Sequence, residues 1–402
     1  MNERVEHDRL RTAVPVSGRG PFSFLWLLLP LAVLGLAVWW LIATNPLASF
    51  GNGAPPVENI TVERTILDHN GIGLLVRAGG SEPMKIAQVQ VDAGYWHFEQ
   101  EPSGPIARGD TAWIRIPFPW IVGEGHTVTF VTSTGATFEH AIPVAIATPV
   151  ATTSTLVSQA ILGAFVGILP VAVGLMFYPA LRGAGPATMD FLLAMTIGLL
   201  GFLLVDTFED AFEFAGGSAA LFQGPTMVIL AAVASFMLLT AFGRREGRPT
   251  GLALATYIAI GIGLHNLGEG LAIGAAFAAG AAGLGTFLVL GFTLHNITEG
   301  IGIAAPILKV RPPLWSFAGL TLLAGGPAVL GMWIGSLAYA PQWSALALAI
   351  GAGAILQVII EVGAFLAGRH DKGAAGLLTL PVLSGIGIGV AFMYLTAMLV
   401  KI

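Results

Sequence analysis

Residues 261–274 read GIGLHNLGEGLAIG, and residues 292–306 read FTLHNITEGIGIAAP. Both are apolar stretches interrupted by one pattern, His-Asn-x-x-Glu-Gly. The first copy holds His265, Asn266, Glu269 and Gly270; the second holds His295, Asn296, Glu299 and Gly300. On a helix, His and Glu four apart lie one turn apart on one face, and Asn and Glu three apart share a face. Each stretch therefore offers an imidazole nitrogen, a carboxylate and an amide oxygen to the same side. Ionisable groups at membrane depth are costly and point to a function or a partner.

The rest of the chain sets these stretches in a bilayer. Its 402 residues are 55% hydrophobic and only 10% charged, with a mean hydropathy of +0.80. Soluble domains carry about 25% charged residues. Eight apolar runs of spanning length are expected at about 156–178, 188–208, 221–242, 251–279, 284–307, 314–337, 343–367 and 376–399. The two motifs fall near the middle of the fourth and fifth. Lys and Arg occur only in alternate loops: Arg182; Arg244, Arg245 and Arg248; Lys309 and Arg311; Arg369 and Lys372. By the positive-inside rule those loops are cytoplasmic. Lys401, at the terminus, falls on the other side.

Upstream, residues 1–21 form an arginine-containing tail, expected in the cytoplasm. Residues 22–44 form an apolar run too long for a signal peptide core, and read as an uncleaved anchor. A Pro/Gly linker follows at 45–56. From 57 to 147 charges return, and short alternating runs are separated by turn residues: Ile60–Val62, Gly73–Val76, Ile86–Val91, Thr111–Ile116 and His126–Thr132. This pattern predicts a small extracytoplasmic β-sandwich. Its His69, His97, His126 and His140 lack tight ligand spacing and read as surface residues. Trp96, Trp113 and Trp120 read as core or interface residues. The expected class is an all-α polytopic membrane protein with an N-terminal anchor helix and a small all-β domain.

Composition also narrows the chemistry. There are no cysteines, so disulfides and thiolate metal sites are excluded. A net charge of −5 without a basic block gives no footprint for nucleic acid. A lone His or Glu in a span would read as a bond to a neighbouring helix; matched copies in adjacent spans favour a ligand set. If the two helices face each other, His265, Glu269, His295 and Glu299 converge. Two imidazoles with two carboxylates suit zinc or another late divalent ion. Asn266 and Asn296 add oxygen ligands. A metalloprotease helix would instead read H-E-x-x-H, and no Ser/His/Asp grouping appears in the spans, so an enzyme is not expected.

Residues 155–402 resemble the ZIP family of divalent metal transporters, whose fourth and fifth helices carry the metal-binding motifs, often HNxPEG in the bacterial branch. The resemblance implies an eight-helix bundle that takes zinc, or iron, manganese or cadmium, toward the cytoplasm, in a cell membrane. By position it assigns His265, Asn266, Glu269, His295, Asn296 and Glu299 to a binuclear site. The segment AGAILQVIIEVGAF (352–365) resembles the one that places an acid on the ion path, here Glu361; the plainer reading is a carboxylate bonded within the bundle. Gly268 and Thr298 replace the motif proline, and Gly326 stands in LLAGGPAVLG (322–331) where the family often has an acid before proline, which weakens a second metal site. The inner loop GRREGRPT (243–250) lacks the family's histidine-rich insert.

The second span ends in VDTFEDAFEF (205–214). Asp206, Glu209, Asp210 and Glu213 form one helical stripe, either a cation funnel or a solvated helix end. The expected partners are the transported divalent ion and the bilayer, with a homodimer among the allowed assemblies and no bound cofactor. A membrane-anchored metal sensor acting through the β-domain is the alternative function.

Overall fold

The computed structural model describes residues 23–44, 56–148, 150, 152–245, 247, 249–278, 282–337, 340–369 and 377–400. The tail expected at 1–21 and the linker at 45–55 lie outside the described residues. Residues 1–55 form one unit and 56–402 a second. The first contributes helix α1 (Ser23–Thr44), 22 residues without a charged side chain. At 1.5 Å per residue it is about 33 Å long, enough to cross a hydrocarbon core.

The second unit opens with eight strands: β1 (Ile60–Asp68), β2 (Gly71–Ala78), β3 (Ile86–Val91), β4 (Gly94–Trp96), β5 (Glu99–Glu101), β6 (Thr111–Ile116), β7 (His126–Thr132) and β8 (Thr137–Ile142). They form two antiparallel sheets, ordered β1-β2-β6-β5 and β4-β3-β7-β8. Ile72, Leu74, Ile114, Ile116, Met84 and Phe130 fill the core with almost no exposure. Alternation drives this: along β7 the buried residues are His126, Val128, Phe130 and Thr132. Five strands match the alternating runs of the sequence; β4, β5 and β8 had not been read from it. Gly71 closes the β1–β2 turn at φ +122°, a conformation that favours glycine.

Eight helices that are long and apolar enough to cross a membrane follow. They are α2 (Thr153–Leu181), α3 (Pro186–Gly216), α4 (Gly224–Gly243), α5 (Gly251–Ala278), α6 (Ala282–Ala304), α7 (Leu314–Leu337), α8 (Pro341–Ala367) and α9 (Leu380–Val400). Thr152 caps α2 by a reciprocal bond with Thr155. Proline stands in the first turn of α3, α4 and α8, where its missing N–H costs nothing. The chain is a polytopic helical protein with a small β-domain.

Glycine lets the helices around the motifs approach closely. Helix α5 packs along α7. A Cβ at Gly331 of α7 would overlap the Leu267 carbonyl, and one at Gly270 of α5 would overlap the Ala328 carbonyl. Such small-residue contacts replace the hydrophobic drive that lipid removes. Gly331→Val should push α7 off the motif helix and cost about 1–3 kcal/mol; a lowered melting temperature in detergent is the expected outcome.

The β-domain is bonded to the bundle within the second unit. Arg64 Nη2 donates to the Leu337 carbonyl at the end of α7 (2.8 Å), and Gln342 Nε2 in the first turn of α8 donates to Glu63 Oε1 (3.2 Å). Neighbouring residues of a strand normally point to opposite faces. The ladder of β1 shifts register between Val62 and Arg64. Such a bulge re-aims side chains, which fits Glu63 and Arg64 both reaching the helices.

His140, on β8, is half-buried with Nε2 2.9 Å from Thr65 Oγ1. Burial holds its imidazole below the ordinary histidine range. Its stabilising contribution is therefore present above the unfolded value, about 6.5, and is lost as pH falls through the folded value, because the unfolded chain takes the proton first. In thermal melts between pH 7 and pH 5, His140→Gln should flatten the acid loss of stability.

Candidate metal centre

The two motifs sit at mid-length in α5 and α6, and both helices run unbroken through them. Gly268 does not loosen α5. A Cβ there would meet Leu348 Cδ2 of α8 at 2.7 Å, so its smallness serves packing. Thr298 sends its hydroxyl to the His295 carbonyl (2.5 Å), a local bond that leaves α6 helical.

All six motif ligands are buried: His265, Asn266, Glu269, His295, Asn296 and Glu299 are each at most 4% exposed. Glu269 is the hub. Its Oε1 lies 2.9 Å from His265 Nε2 and 2.6 Å from His295 Nε2, and its Oε2 accepts from Asn296 Nδ2 at 3.2 Å. The carboxylate of α5 thus bridges both helices. Ligand atoms of His265, His295 and Glu299 also lie within 4.8 Å of one another. The facing arrangement expected from the spacing is present.

The hydrogen bonds of the asparagines decide which atoms are left over. Asn266 Nδ2 donates to the Ala324 carbonyl of α7, and Asn296 Nδ2 donates to the Val166 carbonyl of α2, each at 3.0 Å. The amide oxygens Asn266 Oδ1 and Asn296 Oδ1 have no hydrogen-bond partner, and neither oxygen of Glu299 has one within 3.5 Å, although the Asn266 side chain lies near enough to act on it. Buried polar atoms are normally satisfied, and an unsatisfied one costs about 1–3 kcal/mol. All of these atoms are acceptors. A cation is the species that satisfies several acceptors at once, and a dication also offsets two carboxylate charges at membrane depth.

The sequence reading missed Thr207 of α3, which is buried and places Oγ1 3.3 Å from His265 Nδ1. The hydroxyl accepts when Nδ1 carries the proton and donates when it does not. His265 can therefore change tautomer, turning a bare Nε2 toward a metal without losing its support. The sequence pattern marks the neighbouring Asp206 instead. Asp206 is close enough for its charge to act on His295. The rest of that acidic stripe spreads toward the end of α3: Asp210 is half-buried, and Glu209 and Glu213 are exposed.

Glu361 does not join the cluster. It is buried in α8 and pairs with Arg244 Nε at 2.8 Å, at the end of the bundle away from the β-domain. Asp190 of α3 pairs with Arg369 at 2.8 Å in the same region. Both carboxylates are neutralised by arginines that follow a helix end. In the β-domain, His126 Nδ1 lies 2.8 Å from Asp92 Oδ2, and His140 meets Thr65. Among the described residues, the group of three or more metal-ligating side chains lies in the bundle and not in the β-domain. Compared with protein-family models and with curated proteins, the chain matches none of them.

Proposed function

We propose that the chain is a ZIP-like transporter of divalent metal ions, with zinc the first candidate. The ion is taken toward the cytoplasm through a mid-membrane site made by His265, Glu269, His295 and Glu299, with Asn266 and Asn296 as further oxygen ligands. The observation that carries this reading is the surplus of buried acceptors beside two imidazoles. A structural role for the motifs would have left the oxygens of Glu299 and both asparagines paired with donors.

The mechanism follows from the same contacts. Both Nε2 atoms face Glu269 Oε1, so in the absence of metal each is a proton donor to it. An arriving dication takes Nε2 from both rings, each Nε2 proton moving to the ring's Nδ1 or to solvent, while Glu269 and Glu299 balance its charge. Protons in acid compete with it for the same nitrogen and carboxylate atoms. Binding therefore weakens in acid. Movement of α5 and α6, with the helices packed on them, against the remaining bundle then opens the site to the other face. Asp206 and its neighbours on α3 supply a negative approach. The β-domain acts as a support rather than a metal sensor, in keeping with His126 paired to Asp92 and His140 to Thr65.

Uptake of a panel of divalent metals into proteoliposomes tests this, with a pH gradient imposed and then removed. Saturable uptake of zinc that slows in acid supports the proposal. Metal-independent leakage, or binding that survives removal of the bundle motifs, refutes it.

A further inference from the structure

The two asparagines are held in the same way by two different broken helices. The Val166 carbonyl, which accepts from Asn296, lies four residues before Pro170. In a regular helix the N–H at position 170 would occupy it; proline has none. The backbone is also widened here, in a π segment over Ala164–Ile168. The Ala324 carbonyl, which accepts from Asn266, lies where α7 stops at Gly325 and resumes at Pro327. The last carbonyls before such a stop lack intrahelical partners. At this level α2 and α7 touch: a Cβ on Gly325 would lie 2.6 Å from the Gly167 carbonyl carbon.

Resting on the metal-site reading above, we propose that Pro170 and Pro327 are positioning residues of that site. Pro170 removes the helical donor of the Val166 carbonyl directly, whereas Pro327 stands at the break that keeps the Ala328 N–H, four residues on, from the Ala324 carbonyl; each carbonyl then needs a donor beside a motif helix. The motif asparagine answers with its NH2 group, and that choice fixes its oxygen toward the ion. A flipped amide would set oxygen against oxygen and leave the NH2 group against the cation. The prolines thus make Asn266 and Asn296 oxygen ligands of settled orientation, a property the motif sequence alone does not confer. They also link the ligand set to the bends of α2 and α7, so that straightening either helix loosens a ligand.

Double-mutant cycles on the full-length protein test this, reading the zinc dissociation constant and the KM and kcat of uptake. Pro170→Ala should return an N–H to Val166 and leave the Asn296 amide held by Glu269 Oε2 alone, raising Kd and KM by about tenfold, the range of groups that orient a metal ligand, with kcat changed much less. Asn296→Asp alone should be severe, because a carboxylate then faces both the bare Val166 carbonyl and the Glu269 carboxylate. In the Pro170→Ala background it should cost at least about fivefold less, since that carbonyl is occupied. Pro327→Ala should let α7 run on through the break, so that the Ala328 N–H takes the Ala324 carbonyl, and its cycle with Asn266→Asp should show coupling of the same sign. The crossed pairs, Pro170 with Asn266 and Pro327 with Asn296, should be additive to about twofold. Additive matched pairs, or wild-type Kd in both proline variants, overturn the proposal. A purely structural role predicts equal coupling in matched and crossed pairs and also overturns it. Should Pro170→Ala fail to fold, the Pro327 cycle carries the test alone. A wild-type protein that binds no zinc sinks the metal-site reading and this proposal together; one that binds zinc with uncoupled pairs sinks only this one.

Discussion

If the bundle carries zinc as proposed, replacing Glu269 and Glu299 together with alanine should abolish zinc flux in proteoliposomes, while the protein still folds and inserts. The reason is the asymmetry of their present roles. Glu269 already serves both imidazoles and Asn296, whereas Glu299 has both oxygens unpaired. Without Glu269 the two rings lose the acceptor that holds them within reach of one ion. Without Glu299 the second negative charge is gone, and a dication is left half-compensated in a medium of low dielectric. Loss of a group that merely orients a metal ligand typically costs about 10–100-fold, so loss of two ligands should cost at least about 100-fold in zinc affinity. Glu299→Ala alone should even raise thermal stability without metal, since it removes two unsatisfied buried acceptors. Flux close to wild type in the double variant would dismiss these carboxylates as ligands.

The second large effect is expected far from the metal. Arg77→Ala should destabilise the β-domain and its bond to the bundle by about 3–5 kcal/mol, the usual result of stranding one partner of a buried ion pair. Glu63 has only 2% of its side chain exposed, and Arg77 meets it with Nε at 2.5 Å and Nη2 at 3.0 Å. Arg77 also donates to the Gly109 carbonyl and lies over the Phe222 ring, 5.2 Å from its centroid. With the arginine gone, Gln342 is left as a donor to the buried Glu63 carboxylate. The double variant Arg77→Ala/Glu63→Gln should recover at least half of the loss, because a neutral amide no longer requires a counter-charge. Thermal melts of the four proteins in detergent measure this; a single variant as stable as the wild type would show that the pair does not hold the domain.

Some of this was legible in the residues and some was not, and the difference is physical. Length and apolarity mark each helix of the bundle locally, and the arginine-bearing loops separate them, so eight crossings could be counted without tertiary information. The period of four in His265–Glu269 and His295–Glu299 likewise fixes which side chains share a face. Strands β4 and β5 are three residues each, too short to show an alternation. Glu361 and Asp190 look alike as membrane acids, and only the chain's return brings Arg244 and Arg369 to them. Thr207 carries no signal of its own, since a buried threonine in an apolar helix is ordinary. The orientation of Asn266 and Asn296 depends on carbonyls in helices about 60 and 130 residues away, which no local pattern encodes. Gly268 shows the limit from the other side. Its place in the motif suggests a loosened helix, and the contact with Leu348 instead makes it a packing residue.

Zinc K-edge absorption on the purified full-length protein loaded with one equivalent of zinc addresses the central claim most directly. A light-atom shell at about 2.0–2.2 Å is expected, with the outer-shell signature of two imidazoles, the rest being carboxylate or amide oxygen. In His295→Ala the imidazole signature should fall to one. A shell of oxygens alone, or a spectrum that His295→Ala leaves unchanged, would contradict it.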